Sequence, residues 1–241
     1  MIKYLFGAKI NENNEKKIWF TRYRYYDKVF NSFIPNKIFT TFLKKYYDKI
    51  DKIDVSAWEA GDIGKNKNPQ HFKKLTEIDL VQLEDIVSRT DKVTKILDLG
   101  CNCGRHLNFL FKNGYRSIYG VDVMPTAFKY MSIWFPKMYL NLKKNLYNTN
   151  FQSYLPSVPD QYFDLTFTRG ATVELISPNF QIVREMCRVS RSYVSLHISE
   201  EGHAYPRFWQ LEFARQGFYL SKLLRPVSTN TSDTLMVFAR A

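Results

Sequence analysis

The stretch Lys95–His106 reads KILDLGCNCGRH, and few structures accommodate it. It begins as a short apolar, β-branched run, which predicts a buried strand. It then breaks into small residues around two cysteines. A metal reading of Cys101 and Cys103 fails on count, because Cys187 is the only other thiol and CxC is not the usual ligand pair. A redox reading needs CxxC, which is absent. The remaining reading is a strand ending at Leu99, a tight loop, and a helix opening near Gly104. The first amides of that helix then point into the loop. Gly100 and Gly104 let a ligand approach the backbone, Asn102 tolerates a left-handed conformation, and Cys101 is a small filler. His106 reads as a surface or packing residue rather than a ligand.

Asp98 interrupts the apolar strand just before this loop, where a carboxylate is costly unless it meets a donor. A second apolar stretch, Ile118-Tyr119-Gly120-Val121, also ends in an acid, Asp122. An acid at that place holds ribose hydroxyls in doubly wound sheets. Strands are predicted at Lys95–Leu99, Ser117–Val121, Met138–Leu142, Phe163–Phe167, Tyr193–Ile198 and Leu235–Ala239. Helices are predicted at 104–113, 125–134, 178–190 and 206–216. Such alternation argues for an α/β chain with a mostly parallel sheet covered on both faces. Upstream, Leu75–Val87 has helical spacing, with Thr76 as its cap and Asp79 near its start.

ILDLGCNCG, GVDVMPTAF and the strand FDLTFTRG, taken in order, resemble the class I S-adenosylmethionine-dependent methyltransferases. The resemblance covers roughly residues 90–241. It implies a Rossmann-like, doubly wound, mostly parallel seven-stranded sheet over 91–241, with residues 1–90 as an amino-terminal helical extension. It implies S-adenosylmethionine as cofactor, with S-adenosylhomocysteine as product. Asp98, Gly100, Cys101, Asn102, Gly104, Asp122, Val123, Asn145, Leu146, Thr168 and Arg169 are its cofactor-binding candidates. A metal is not implied. A nicotinamide-binding domain is the competing reading, but the loop spacing is not GxGxxG.

In that family the acceptor pocket lies beyond the fourth and fifth strands. His203, His197 and Glu174 are the candidates for a catalytic base, and each also has a plain structural reading. Arg169, Tyr205, Arg207 and Trp58 are the candidate acceptor contacts, Arg169 reading as a contact to an anionic group. The Asn/Asp-Pro-Pro-Phe/Tyr signature of base-amino methylation is missing; Thr168-Arg169-Gly170-Ala171 stands there. The expected acceptor is therefore a small molecule or glycan, phosphorylated or lipid-linked forms included.

Net charge bears on partners. With 35 Lys and Arg against 23 Asp and Glu, the chain carries +12 and is drawn to polyanions. The first sixty residues are dense in aromatics and lysine, with amphipathic spacing over Ile38–Ile50. Four readings stay open for this extension: a lid whose Trp58, Asp62 and Phe72 touch ligand, a platform on anionic membrane, a single-stranded RNA binder, or a cap burying its own aromatics. RNA methylation and a non-catalytic, cofactor-binding partner subunit are the alternative functions. No apolar run reaches the ~20 residues of a membrane span, and the start carries no signal-peptide pattern. Three cysteines form no disulfide framework, so a cytoplasmic place, free or at the inner membrane face, is expected.

Overall fold

The computed structural model describes residues 60, 68–170, 172–177, 179–199, 207, 209–229, 231 and 233–241. Seven strands form one sheet: β1 (Ile96–Leu99), β2 (Ile118–Asp122), β3 (Leu146–Asn148), β4 (Phe163–Arg169), β5 (Ser190–Ile198), β6 (Phe218–Leu224) and β7 (Thr234–Arg240). Their spatial order is β3-β2-β1-β4-β5-β7-β6. The first five pair in parallel, and β7 runs antiparallel between β5 and β6. The order reverses between β1 and β4, and ligands of doubly wound sheets bind beyond the carboxyl ends of strands at such a reversal.

The helices follow from local sequence. α1 (Glu77–Arg89) starts in a capping box: Thr76 Oγ1 accepts from Asp79 N, and Asp79 Oδ2 accepts from Thr76 N. It buries Leu83 and Ile86 in the cluster that holds Ile96, Ile118, Leu165 and Phe167. Although it precedes the glycine loop, α1 thus covers one face of the sheet. α2 (Arg105–Lys112) and α4 (Pro136–Leu142) share that cluster through Leu107, Leu110, Met138 and Leu142. α6 (Ile182–Val189) and α7 (Trp209–Ala214) cover the other face with Ile182, Met186, Trp209 and Phe213. α3 (Pro125–Trp134) follows β2, and the short α5 (Phe151–Tyr154) follows β3.

Two elements differ from the sequence reading. Met138–Leu142 is helical, not a strand: Met138 and Leu142 are buried at i, i+4 while Leu140 is 65% exposed, and Pro136 opens the turn. The third strand is the later, three-residue Leu146–Asn148. β6 was not among the predicted strands; it is an edge strand, paired only to β7, with Tyr219 outward. Residues 38–50, Trp58, Asp62, His203 and Tyr205 lie outside the described residues. No helix among the described residues is long and apolar enough to cross a membrane.

Candidate functional site

At the reversal, β1 leads into a loop with three left-handed residues, Gly100 (φ 81°), Asn102 (φ 45°) and Gly104 (φ 79°). Asn102 stands where a side chain is normally disfavoured, in keeping with its tolerance of that region. A Cβ on Gly100 would collide with Thr172 Cγ2, so the loop after β4 closes directly on the glycine loop. Cys101 and Cys103 are buried fillers. Gly120 has no side chain to dislodge the Cys101 sulfur, which lies 2.9 Å from where a Cβ would stand. Burial pushes the Cys101 thiol well above its usual range and the Cys103 thiol up to about 12.

The loop amides are all taken internally. Gly100 and Cys101 donate to Val121 O, Asn102 to Asp122 Oδ2, Cys103 to Asn102 Oδ1, and Gly104 to Cys101 O. Residues 100–104 therefore commit their amides within the fold, whereas the sequence expectation concerned the first amides of the helix that follows, Arg105–Lys112. Asp122 acts as the local acceptor instead, its Oδ1 also receiving Met124 N at 2.9 Å. Burial raises the Asp122 pKa to about 6, against the pull of the Met124, Asn102 and Val123 amides.

Asp98 is fully buried, and neither carboxylate oxygen has a hydrogen-bond partner. Burial pushes its pKa up; His106 and Arg105 oppose this. His106 Nδ1 lies 3.8 Å from Asp98 Oδ2, and its Nε2 lies 3.6 Å from Asp79 Oδ1. His106 is thus neither on the surface nor packing alone: it sits between two carboxylates. Burial disfavours its charged form, but Asp79 and Asp98 outweigh burial and raise its pKa.

The other predicted residues take these places. Thr168 and Thr172 join hydroxyls above the loop, and Thr168 O accepts from Gln82. Asn145 donates to Ile118 O, and Leu146 enters the β3 ladder opposite Gly120, so both serve the sheet. Arg169, expected to face an anionic acceptor, instead donates from Nε to Asp79 at 2.9 Å and lies 3.5 Å from Asp233. Arg207 pairs with Glu212 and Ile176 O, which likewise commits its guanidinium within the protein. His197 is fully buried 3.6 Å from Asp233, and burial lowers its pKa, so its ring is neutral and sealed from solvent. Glu174 is buried and accepts from the amides of Thr172 and Ser199, stapling the tip of β4 to that of β5. Burial lifts its pKa to about 7. Phe72, taken as a ligand contact in the lid reading, packs beside Cys103, Met124 and Ala127 under Arg105.

Sequence reasoning missed Asp79 as a member of this cluster. As an acid near the start of α1, favoured there by the helix dipole, it had a sufficient local explanation.

A doubly wound sheet with a buried acid, Asp98, and a half-buried one, Asp122, beside a glycine loop at its order reversal defines a Rossmann-like domain. Residues 96–192 match the family model of a methyltransferase domain. The structure is similar to a TehB-like SAM-dependent methyltransferase from Corynebacterium glutamicum (TM-score 0.52, 19% identity, covering 67% of this chain and 88% of that one). It is also similar to magnesium protoporphyrin IX methyltransferase from Synechocystis with bound SAM (0.55, 12%, 87% and 99%) and to the [4+2]-cyclase SpnF (0.51, 13%, 66% and 80%). At these identities the likenesses establish the fold. No curated protein matches the chain. The matched segment is thus a methyltransferase domain by its family model, and its fold is that of class I S-adenosylmethionine-dependent methyltransferases.

Proposed function

We propose that this chain transfers a methyl group from S-adenosylmethionine to an oxygen or nitrogen of a small-molecule or glycan acceptor. The observation that carries the cofactor assignment is the pairing of an orphaned, buried Asp98 carboxylate with a glycine loop that has no amide left to donate. Such a crevice suits a ligand with a cationic tail and hydroxyl donors. A pyrophosphate would meet two carboxylates and no free donor from residues 100–104, which speaks against a dinucleotide.

In this reading Asp98 receives the α-ammonium group and Asp122 the ribose hydroxyls. Gly100, Gly104 and the hydroxyls of Thr168 and Thr172 shape the floor beside the reacting centre. The cofactor supplies a methyl on a sulfonium, whose thioether leaves without an acid. The protein's task is then alignment and exclusion of water. Glu174, engaged with the Thr172 and Ser199 amides, acts on the architecture of the site, and His197 lies buried 3.6 Å from Asp233 with neither ring nitrogen hydrogen-bonded. His203 is the proposed base for an acceptor that must lose a proton.

Two measurements test this. Calorimetry with S-adenosylmethionine should show saturable binding that weakens about ten- to hundredfold in Asp98→Asn, the loss of a hydrogen bond to a charged group. A wild-type chain that binds nothing, or a dinucleotide instead, ends the reading. Methyl transfer must be measured apart from binding, since a cyclase shares the fold. For the acceptor, labelled-methyl transfer is compared between RNA and metabolite or glycan pools. RNA as acceptor would show retention that weakens steeply with salt, and would replace the small-molecule assignment.

A further inference from the structure

We propose that Asp79, in the first turn of α1, is a positioning residue of the cofactor site: it holds Arg105 and His106 away from Asp98, which stays free to receive a cationic amino-acid tail. This rests on the cofactor reading above and extends the site to a helix upstream of residues 96–192, the matched methyltransferase segment.

Asp79 is 1% exposed yet carries a full set of partners. Its Oδ2 accepts from Thr76 N at 2.8 Å. Its Oδ1 accepts from Arg169 Nε at 2.9 Å and Arg105 Nη2 at 3.2 Å, with His106 Nε2 at 3.6 Å. One carboxylate therefore gathers a base from the end of β4 and two from the start of α2. Gln82, one turn along α1, donates to Thr168 O and Ser195 O, fixing the helix against the end of β4 and the middle of β5.

The charges explain why this matters. Arg105 and Arg169 are largely buried, with side chains 14% and 15% exposed. Arg169 has a second anion, Asp233, at 3.5 Å. The other contacts of Arg105 are the carbonyls of His71 and Lys74 and the His106 ring, all neutral acceptors or a competing base. A buried guanidinium that loses its carboxylate seeks another. Asp98, one residue beyond His106 in the same chain of contacts, has no hydrogen bond of its own. Remove the charge of Asp79, and Arg105 or His106 is free to satisfy Asp98 from within. The tail of the cofactor would then face an occupied carboxylate, while the nucleoside end, served by Asp122, would be untouched.

The test separates tail from nucleoside. Calorimetry on the full chain compares S-adenosylhomocysteine with 5′-methylthioadenosine, which lacks the amino-acid tail. In Asp79→Asn, S-adenosylhomocysteine should bind about ten- to hundredfold more weakly, with methylthioadenosine unchanged. Thr76→Ala breaks the cap hydroxyl but leaves the carboxylate; it should lower unfolding stability and keep both affinities. Asp79→Glu, which keeps the charge, should restore most of the tail discrimination. Should Asp79→Asn not fold, Asp79→Asn combined with Arg169→Gln removes acid and base together and is read the same way. Equal loss for both ligands, or loss for neither, overturns the proposal. Failure of the wild type to bind either ligand instead overturns the cofactor reading itself.

Discussion

Glu174→Gln gives a pH signature that the staple between β4 and β5 alone can produce. Glu174 ionises near 4.5 in an unfolded chain and near 7 in the fold, because burial disfavours its charge more than the Thr172 and Ser199 amides favour it. An acid with a raised pKa stabilises the fold fully below 4.5, where both states hold the proton. That contribution is lost as pH rises through 7, because the folded state must then carry a buried anion. At about 1.36 kcal/mol per pH unit, the loss is about 3 kcal/mol. Glutamine has no proton to lose. It can accept from one of the two amides but not from both, at a cost of about 1 kcal/mol. The variant should therefore be slightly less stable than wild type at pH 5 and more stable, by about 2 kcal/mol, at pH 8. Urea unfolding of both proteins at pH 5, 6, 7 and 8 measures this, with buried Trp209 among the fluorescence reporters. Asp122, raised to about 6, adds a slope of the same sign, but it is common to both proteins and cancels in their difference. A wild-type-minus-variant difference that stays flat from pH 5 to 8 would refute the argument.

Other perturbations read other parts of the structure. Gly100→Ala should destabilise more than Gly217→Ala: both have a left-handed φ, but only at Gly100 does the new methyl meet a neighbour, Thr172. The Gly217 change should cost about 1–2 kcal/mol from backbone strain alone, and equal costs in denaturant titrations would show that the β4 loop does not rest on the glycine loop. Cys101, Cys103 and Cys187 are buried, with Cys103 and Cys187 thiols held near 12, so alkylation at pH 8 should require unfolding. Rapid labelling of Cys103 in the native protein would contradict the packing of the loop.

What could be read from the sequence was what is encoded within a few residues. β1, the glycine loop, α2 and the acid ending β2 form one short chain of local signals, and Thr76 with Asp79 announced the start of α1. The third strand was misplaced because Met138, Leu142 and Leu146 continue one apolar series, and only the outward Leu140 separates helix from strand. β6 escaped because an edge strand keeps one polar side and needs a partner to define it. The roles of charged residues were harder still. Arg169 stands 90 residues from Asp79 and reads as a free cation at a strand end. His106 is a lone histidine until α1 and β1 bring two carboxylates beside it.

That pattern bears on where specificity resides in this site. Under the proposed function, the elements readable from the sequence, loop and Asp122, serve what all nucleoside ligands share: a sugar and a close approach to backbone. The unreadable part, the network of Asp79, Arg105, His106, Asp98 and Arg169, is where the further proposal places charge discrimination. It draws on α1, β1, α2 and β4 at once, so it exists only when the fold is complete. Two guanidiniums and one imidazole are set against Asp79, Asp98 and Asp233, with Asp98 alone short of a strong donor. A binding site poised in this way recognises a cation by the one position it leaves unpaired, and a change at any neutralising partner should register first as lost selectivity for the charged tail and only later as lost stability.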